Sequence, residues 1–294
     1  MPRPEKSEGD FNLVRHIFHG RDFVQVDTGT AVALDTVLHG FCLAFPDIGN
    51  RFITLILIIF YKMANLIVLA GFSNSGKSTS LKYLDSSETF IVSCTNKQLQ
   101  IPGFRKKYKK VAIEDKKLVG NWLVSNSYEK IHKILDIVDR TRSDIKIVVI
   151  DDINYCLSGE IMDNALVKGY EKFTMQAKNY YDLITKAGEL RDDLTVVFIS
   201  HIINDGTDID PQYKMYSSGK MLDKTVNIDG LFSYIIYSER YIDEATGDVG
   251  YRFKTRTDGN DTCRSVAGCF NEKYIEPNMK LIIDTINKFE EGEE

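Results

Sequence analysis

The stretch Leu66–Leu84 reads LIVLAGFSNSGKSTSLKYL and joins a buried-strand pattern to a glycine-rich turn. Branched apolar residues end at Gly71, and small polar residues, a lysine and two hydroxyl residues follow. Residues 71–78 fit G-x-x-x-x-G-K-[S/T] in full, with a strand pattern before them and a helix pattern after them. We therefore expect a strand, a tight turn and a helix in this order, with an anion held in the turn.

The residue types in this turn are those that bind a nucleoside triphosphate. Gly71 and Gly76 are expected to let the backbone turn so that its N–H groups point inward, toward phosphate oxygens. The following helix would direct its positive end at the same anion. Lys77 would reach the β and γ phosphates, and the Ser78 hydroxyl would ligate Mg²⁺. The pattern thus predicts an ATP–Mg²⁺ site at Gly71, Phe72, Ser73, Asn74, Ser75, Gly76, Lys77, Ser78 and Thr79; a chance match is the alternative.

Two adjacent carboxylates follow a second apolar run, IKIVVIDDINY. A carboxylate at the C-terminal tip of a buried strand can hold Mg²⁺ directly or through water, and we assign this role to Asp151. Asp152 would orient or deprotonate the attacking water. The alternatives are a cap or turn residue for Asp151 and an ordinary strand-end acid for Asp152.

A third apolar run, TVVFISHIIND, ends in the polar residues Ser200 and His201. A polar residue at the tip of the strand next to the carboxylates can sense the γ-phosphate, and a histidine responds to its charge. His201 is our candidate for this role. A structural histidine without a part in catalysis is the alternative.

Two clusters of cations lie elsewhere in the chain. In YRFKTRTDGND, Lys254 and Arg256 are two residues apart and would share one face of a strand. They are candidates for fingers that act on a neighbouring subunit's nucleotide, or else belong to a solvated strand face. FRKKYKK, Phe104–Lys110, sets two aromatic residues among five cations, a pattern that suits single-stranded nucleic acid or simply a solvated loop.

Composition excludes several classes of protein. The chain has 294 residues and a net charge of −5, which argues against a dedicated DNA-coating protein. The apolar segment Phe52–Phe60 is too short to cross a bilayer, which takes about 20 residues, and we interpret it as a buried strand. A zinc site or disulfide framework is not indicated, and reduced thiols in the cytoplasm are expected. The cysteines are Cys42, Cys94, Cys156, Cys263 and Cys269.

Strands and helices alternate from Met63 onward, which predicts an α/β fold with a mostly parallel sheet covered by helices on both faces. Residues 1–62 differ in pattern, and they are interpreted either as an extension upstream of a natural start at Met63 or as a genuine accessory segment. A β-hairpin with its turn at Thr246–Gly247–Asp248 is expected at the sheet edge. The predicted strands are Leu66–Ala70, Phe90–Ser93, Ile145–Ile150 and Thr195–Ser200, and the predicted helices lie within Glu129–Arg140 and Asp163–Leu190, the latter ending near Gly188.

Residues 63–270 resemble the phage-encoded AAA-type nucleotide-binding proteins, minimal RecA-like ATPases of phage recombination and single-strand annealing. The motifs that carry the resemblance are GFSNSGKSTS, VVIDDI, VFISH, SSGKMLDKTV and TRTDGNDTCRSVAGCF. The resemblance implies a RecA-like P-loop NTPase fold, ATP and Mg²⁺ as ligands, and a homo-oligomeric ring or filament. It also implies single-stranded DNA as a partner, a phage single-strand DNA-binding protein among the partners to be considered, no membrane association, and the cytoplasm of a host bacterium as the location.

One departure from the resemblance affects the catalytic assignment. RecA-type enzymes usually carry a catalytic glutamate just after the second strand, but FIVSCTNKQL, Phe90–Leu99, contains no acid. Asp152 is therefore the substitute that we consider. Three functions stay open: a DNA-linked ATPase, a small-molecule phosphotransferase of the P-loop kinase type, and a nucleotide-gated binding module with negligible turnover.

Overall fold

The computed structural model describes residues 63–115, 117–217 and 227–292. The N-terminal extension 1–62, the predicted strand Phe52–Phe60 and most of SSGKMLDKTV lie outside the described residues. The strands are β1 (Asn65–Ala70), β2 (Thr89–Ser93), β3 (Ala112–Glu114), β4 (Lys117–Val119), β5 (Trp122–Val124), β6 (Ile147–Asp151), β7 (Thr195–Ser200), β8 (Ile202–Asn204), β9 (Tyr213–Met215), β10 (Tyr234–Ile242), β11 (Val249–Lys254) and β12 (Tyr274–Ile275).

The main sheet has eight strands in the order β12-β11-β10-β1-β7-β6-β2-β5. From β10 to β5 every neighbouring pair is parallel, whereas β11 and β12 are antiparallel additions at one edge. The parallel strands therefore end at one common edge, where β1 leads into the glycine-rich turn and β6 and β7 end in the predicted polar residues. The mostly parallel α/β sheet expected from the sequence is confirmed.

Two separate apolar cores cover the two faces of this sheet. Along β1, Val68 packs into one core, and its neighbours Ile67 and Leu69 pack into the other, as the two-residue period of a strand requires. Helices α2 (Tyr128–Thr141), α3 (Asn154–Asp163) and α4 (Glu171–Gly188) contribute to the first core, and α1 (Phe104–Lys107) and α5 (Met279–Glu290) contribute to the second. Coverage of both faces, as expected from the sequence, is also confirmed.

The helices differ from the sequence expectation in two places. The predicted helix within Asp163–Leu190 begins later than expected, as α4 at Glu171, because Gly169 before it takes a left-handed conformation with φ +102°, and α3 was not predicted. The helix after the glycine-rich turn is a 3₁₀ helix of six residues, Ser78–Tyr83. Within it, the Ser80 hydroxyl donates to the Lys77 carbonyl at 2.6 Å, a side-chain bond that competes with regular helix.

The C-terminal hairpin forms at the sheet edge, as predicted. β10 and β11 pair in antiparallel register, and the turn is closed by the Gly247 N–H, which donates to the Asp243 carbonyl at 2.7 Å. β10 is more than an edge strand, however, since its first half pairs parallel to β1 beside the glycine-rich turn. The sequence did not predict β5, α5 or the two small hairpins β3–β4 and β8–β9.

Two further sequence expectations concern the cysteines and membrane-spanning helices within the described residues. Cys94, Cys156, Cys263 and Cys269 are buried free thiols, as the composition indicated. No helix in the described ranges is both long and apolar enough to cross a membrane.

Candidate functional site

The glycine-rich turn, which we call the phosphate loop (Gly71–Thr79), depends on its glycines for two different reasons. Gly76 has φ +95°, where a residue with a side chain is strained. Gly71 is needed for space, because a Cβ there would lie 2.5 Å from the Ser238 carbonyl oxygen. Asn74 supplies a second left-handed position, with φ 62°. The expectation that both glycines serve the turn is therefore corrected for Gly71, which allows close packing against β10.

Lys77 is folded back onto its own loop. Its side chain is buried, and its Nζ donates to the carbonyls of Gly71 at 2.7 Å and Phe72 at 2.8 Å. Burial lowers the pKa of Lys77 to about 8, and the negative charges of Asp152 and Asp151, which raise this pKa, offset only part of that effect. The ammonium thus lies at the start of the phosphate loop, where an anion cradled by the loop would meet it.

Ser78 and Asp151 meet as the sequence predicted for a magnesium site. The Ser78 hydroxyl donates to Asp151 Oδ1 at 3.0 Å. The other oxygen, Oδ2, is buried and has no hydrogen-bond partner among the described residues. Burial, and then the negative charge of Asp152, raise the pKa of Asp151 above its usual range. An unpartnered carboxylate oxygen beside a hydroxyl is a donor set that fits Mg²⁺ or its bound water.

A metal at this position would need further ligands from water or a bound nucleotide. Within the described ranges no group of three or more His, Cys, Asp or Glu side chains is placed to hold a metal ion. Mg²⁺ keeps several waters and is commonly held by one or two carboxylates together with substrate phosphates. The residue set of Ser78 and Asp151 therefore fits Mg²⁺ that enters with its nucleotide.

Asp152 is held by side chains from two other segments, and we call Asp152, Lys97 and His201 the Asp152 cluster. The Lys97 ammonium pairs with Asp152 Oδ2, and His201 Nε2 lies 3.4 Å from Oδ1. Burial alone would raise the pKa of Asp152, but the hydrogen bonds from His201 and Lys97 outweigh it and hold that pKa below its usual range. Such a carboxylate is a weak base, so its chemistry favours orienting a water over deprotonating it.

The backbone also fixes this cluster. Asp152 has φ 59°, a left-handed conformation that is uncommon for a residue with a side chain and that occurs at functional sites. Asn154 Oδ1 accepts from the His201 backbone N–H at 2.7 Å and ties the tip of β7 to the start of α3. His201 is therefore positioned by its backbone as well as by Asp152.

A cavity of about 570 Å³ joins the phosphate loop to Lys97 and His201. Its wall also includes Tyr251, whose ring lies over Gly76, and Tyr155 from α3. Sequence reasoning missed Lys97 and Tyr251. The signal for Lys97 was its position: it follows the carboxyl end of a parallel strand, where α/β sheets bind their ligands.

Lys254 and Arg256, predicted to share one face of a strand, lie in different surroundings. Lys254 is buried, and its Nζ contacts the carboxylates of Asp261, Asp258 (2.6 Å) and Glu239 (3.6 Å). Arg256 is exposed and follows the end of β11. As placed, Lys254 is an internal ion-pair residue and not available to a neighbouring subunit; a finger role for Arg256 stays a prediction.

The basic segment Phe104–Lys110 divides into a buried and an exposed part. Phe104 and Tyr108 are buried and stack on each other with centroids 5.1 Å apart, and Trp122 packs edge-on against Phe104. These rings belong to the core and do not offer stacking faces for bases, which corrects the interpretation of their spacing. The cations are exposed, and they are Arg105, Lys106, Lys107, Lys109 and Lys110.

The predicted residues of the phosphate loop, the carboxylates and His201 therefore converge on one edge of the sheet, whereas Lys254 does not join them. A scan against protein-family models found no match, and a search of the curated proteins found none either.

Proposed function

We propose that this chain is a RecA-like ATPase that binds ATP with Mg²⁺ in the phosphate-loop cavity and hydrolyses it. The observation that carries the proposal is the contact between Ser78 and Asp151 at the mouth of the phosphate loop, with one Asp151 oxygen left unpartnered. Two motifs that are far apart in sequence thereby form one Mg²⁺–phosphate donor set.

The side chains around that contact have separate tasks in this proposal. The loop N–H groups and Lys77 bind the phosphates, and Ser78 and Asp151 hold the ion. Asp152, kept ionised by its partners, orients the attacking water, and His201 reports on the terminal phosphate. Mg²⁺, when bound, neutralises charge that develops on the transferred phosphoryl group.

The link to DNA recombination, annealing or replication is the wider part of the proposal. It is supported by the resemblance of the motifs and by the exposed cations of Phe104–Lys110, which can bind a phosphate backbone without base stacking. Assembly into a ring or filament would bring the exposed Arg256 to a neighbouring nucleotide.

A nucleotide-gated binding module is the second candidate, and one observation favours it. Among the cavity-lining residues that the structure describes, none is a glutamate, and Asp152 is a weak base. Binding of ATP would then change the protein's state with very slow turnover.

Phosphate release from Mg²⁺–ATP, measured with and without single-stranded DNA, tests these functions together. Turnover that single-stranded DNA stimulates supports the DNA-linked ATPase. ATP binding with negligible release supports the binding module, and phosphate transfer to a small acceptor instead of water indicates a phosphotransferase. Failure of the purified chain to bind ATP at all would overturn the proposal.

A further inference from the structure

Lys97 lines the phosphate-loop cavity but does not belong to the loop itself. It belongs to the segment after β2, and its ammonium pairs with the buried carboxylate of Asp152. Its side chain is 54% exposed and lines the same cavity as Lys77 and His201. The lysine is thus held at one end by an ion pair, while much of its stem remains in contact with solvent.

Among the lysines that line this cavity within the described residues, Lys97 is the one paired with a carboxylate. Lys77 is bound to two loop carbonyls, and Lys82 lies over the Tyr83 ring at 4.8 Å from its centroid. The described wall of the cavity contains no arginine. Among the described residues of the cavity wall, Lys97 is therefore the lysine outside the phosphate loop that a terminal phosphate could draw from a carboxylate partner.

Asp152 can release Lys97 without being left unpaired. His201 Nε2 stays 3.4 Å from its Oδ1, and the left-handed backbone holds the carboxylate in place. A terminal phosphate carries more negative charge than a carboxylate, so it competes strongly for the same ammonium. A lysine is a compact charge on a flexible stem, which lets it change partners at little cost.

We infer that Lys97 binds the terminal phosphate of a bound nucleoside triphosphate and leaves Asp152 when the nucleotide enters. This inference rests on the proposed function and adds a source of specificity to it. Lys97 thus adds a second lysine from the same chain to the terminal phosphate, beside Lys77. The released Asp152 keeps His201 as its remaining partner, and the site distinguishes triphosphate from diphosphate.

Equilibrium binding of ATP and ADP in Mg²⁺ tests this role. In Lys97→Ala we expect ATP affinity to fall about tenfold, as for loss of one charge-assisted hydrogen bond, with ADP affinity nearly unchanged. Lys97→Arg should recover most of the ATP preference because it keeps the charge. The matched control is Lys146→Ala, which removes a lysine paired with Asp193 and similarly exposed, before the start of β6.

The outcomes separate this inference from the proposed function. Retained ADP binding shows that each variant is folded and that its phosphate loop works. An ATP-to-ADP affinity ratio in Lys97→Ala equal to that of the unmodified chain would overturn the inference alone. This includes an equal loss of ATP and ADP affinity, which would indicate that Lys97 has only a structural role. Absence of nucleotide binding by the unmodified chain would remove the proposed function and this inference together.

Discussion

The phosphate loop lines one cavity together with Lys97 and His201 of the Asp152 cluster, but different contacts hold the loop and the cluster. The loop is held mostly by contacts within its own segment: the Lys77 side chain binds two loop carbonyls, and Gly76 provides the left-handed turn. The Asp152 cluster is held by side chains from three separate segments, with Lys97 and His201 on one carboxylate. The loop therefore depends mainly on its own segment and on the neighbouring β10, whereas the cluster requires the correct packing of β2, β6 and β7.

This difference predicts how each half responds to substitution. A local, backbone-held loop loses function when one of its ligand groups is removed, but its shape persists. A cluster of three side chains changes as a unit, because each member lowers the cost of burying the others. Substitutions in the loop should thus mainly affect chemistry and binding, and those in the cluster should change several properties together.

Lys77→Ala should produce the largest loss. It removes the ammonium that would contact the β and γ phosphates, and we expect kcat to fall by about 10³-fold, the upper end for loss of one donor to the transition state. The measurement is phosphate release from Mg²⁺–ATP, with Lys146→Ala as the control lysine outside the cavity. Hydrolysis at the unmodified rate would show that the phosphate loop does not hold the phosphates.

Asp152→Asn should have the next largest effect. It keeps the shape of the side chain but removes the charge that Lys97 and His201 share, and kcat should fall by about 10²-fold, the lower end for loss of a group that acts on the water. The measurement is kcat and KM for Mg²⁺–ATP. Asp193→Asn is the control, since Asp193 also pairs with a lysine, ahead of β7. Unchanged kcat with Asp152→Asn would limit the active site to the phosphate loop.

The phosphate loop and the Asp152 cluster also differ in how much of each could be predicted from the sequence. The loop is contiguous, so its pattern predicted the residues from Gly71 to Ser78, and the carboxylates were found because they follow an apolar strand. The pairing of Lys97 with Asp152 joins residues that are 55 positions apart and depends on strand order, which no local pattern contains. The sequence showed that Lys97 follows a predicted strand, but it did not show that the Lys97 side chain pairs with Asp152.

The same limit explains the outcome for the fold. Strongly apolar strands such as β7 were predicted with their observed bounds, because burial on both faces leaves a continuous apolar run. β5 was missed because it is three residues long and half-buried. The aromatic residues Phe104 and Tyr108 were misinterpreted because cations surround them in sequence, whereas their burial depends on contacts such as Trp122, elsewhere in the chain.

Gly71→Ala tests whether the loop is as self-contained as its sequence suggests. A Cβ at this position would lie 2.5 Å from the Ser238 carbonyl oxygen and 2.7 Å from Ser75 Oγ, so backbone must move. We expect the free energy of unfolding to fall by about 2 kcal/mol, as for overpacking. Chemical denaturation measures it, and Gly188→Ala is the control: its Cβ would meet Leu66 at an ordinary 3.5 Å. Equal stability of both variants would show that the loop adjusts freely.

Ser238→Ala should give the smallest effect and tests a side-chain bond from β10 that supports the loop. The buried Ser238 hydroxyl donates to the Ser75 carbonyl at 2.6 Å. Its loss should lower the free energy of unfolding by about 1 kcal/mol. Thr141→Ala is the control, because it removes an exposed hydroxyl that donates to the Ile137 carbonyl of its own helix.

The same variant also decides how the loop's shape relates to binding. If the loop is held mainly by its own backbone, Ser238→Ala should weaken ADP binding by at most about fivefold, the equivalent of the lost bond. A much larger loss of ADP affinity, with stability reduced only as expected, would mean that β10 holds the loop in its binding conformation. The phosphate loop would then depend on packing against other strands, as the Asp152 cluster does. The two halves would differ only in that the loop residues are contiguous in sequence and the cluster residues are not.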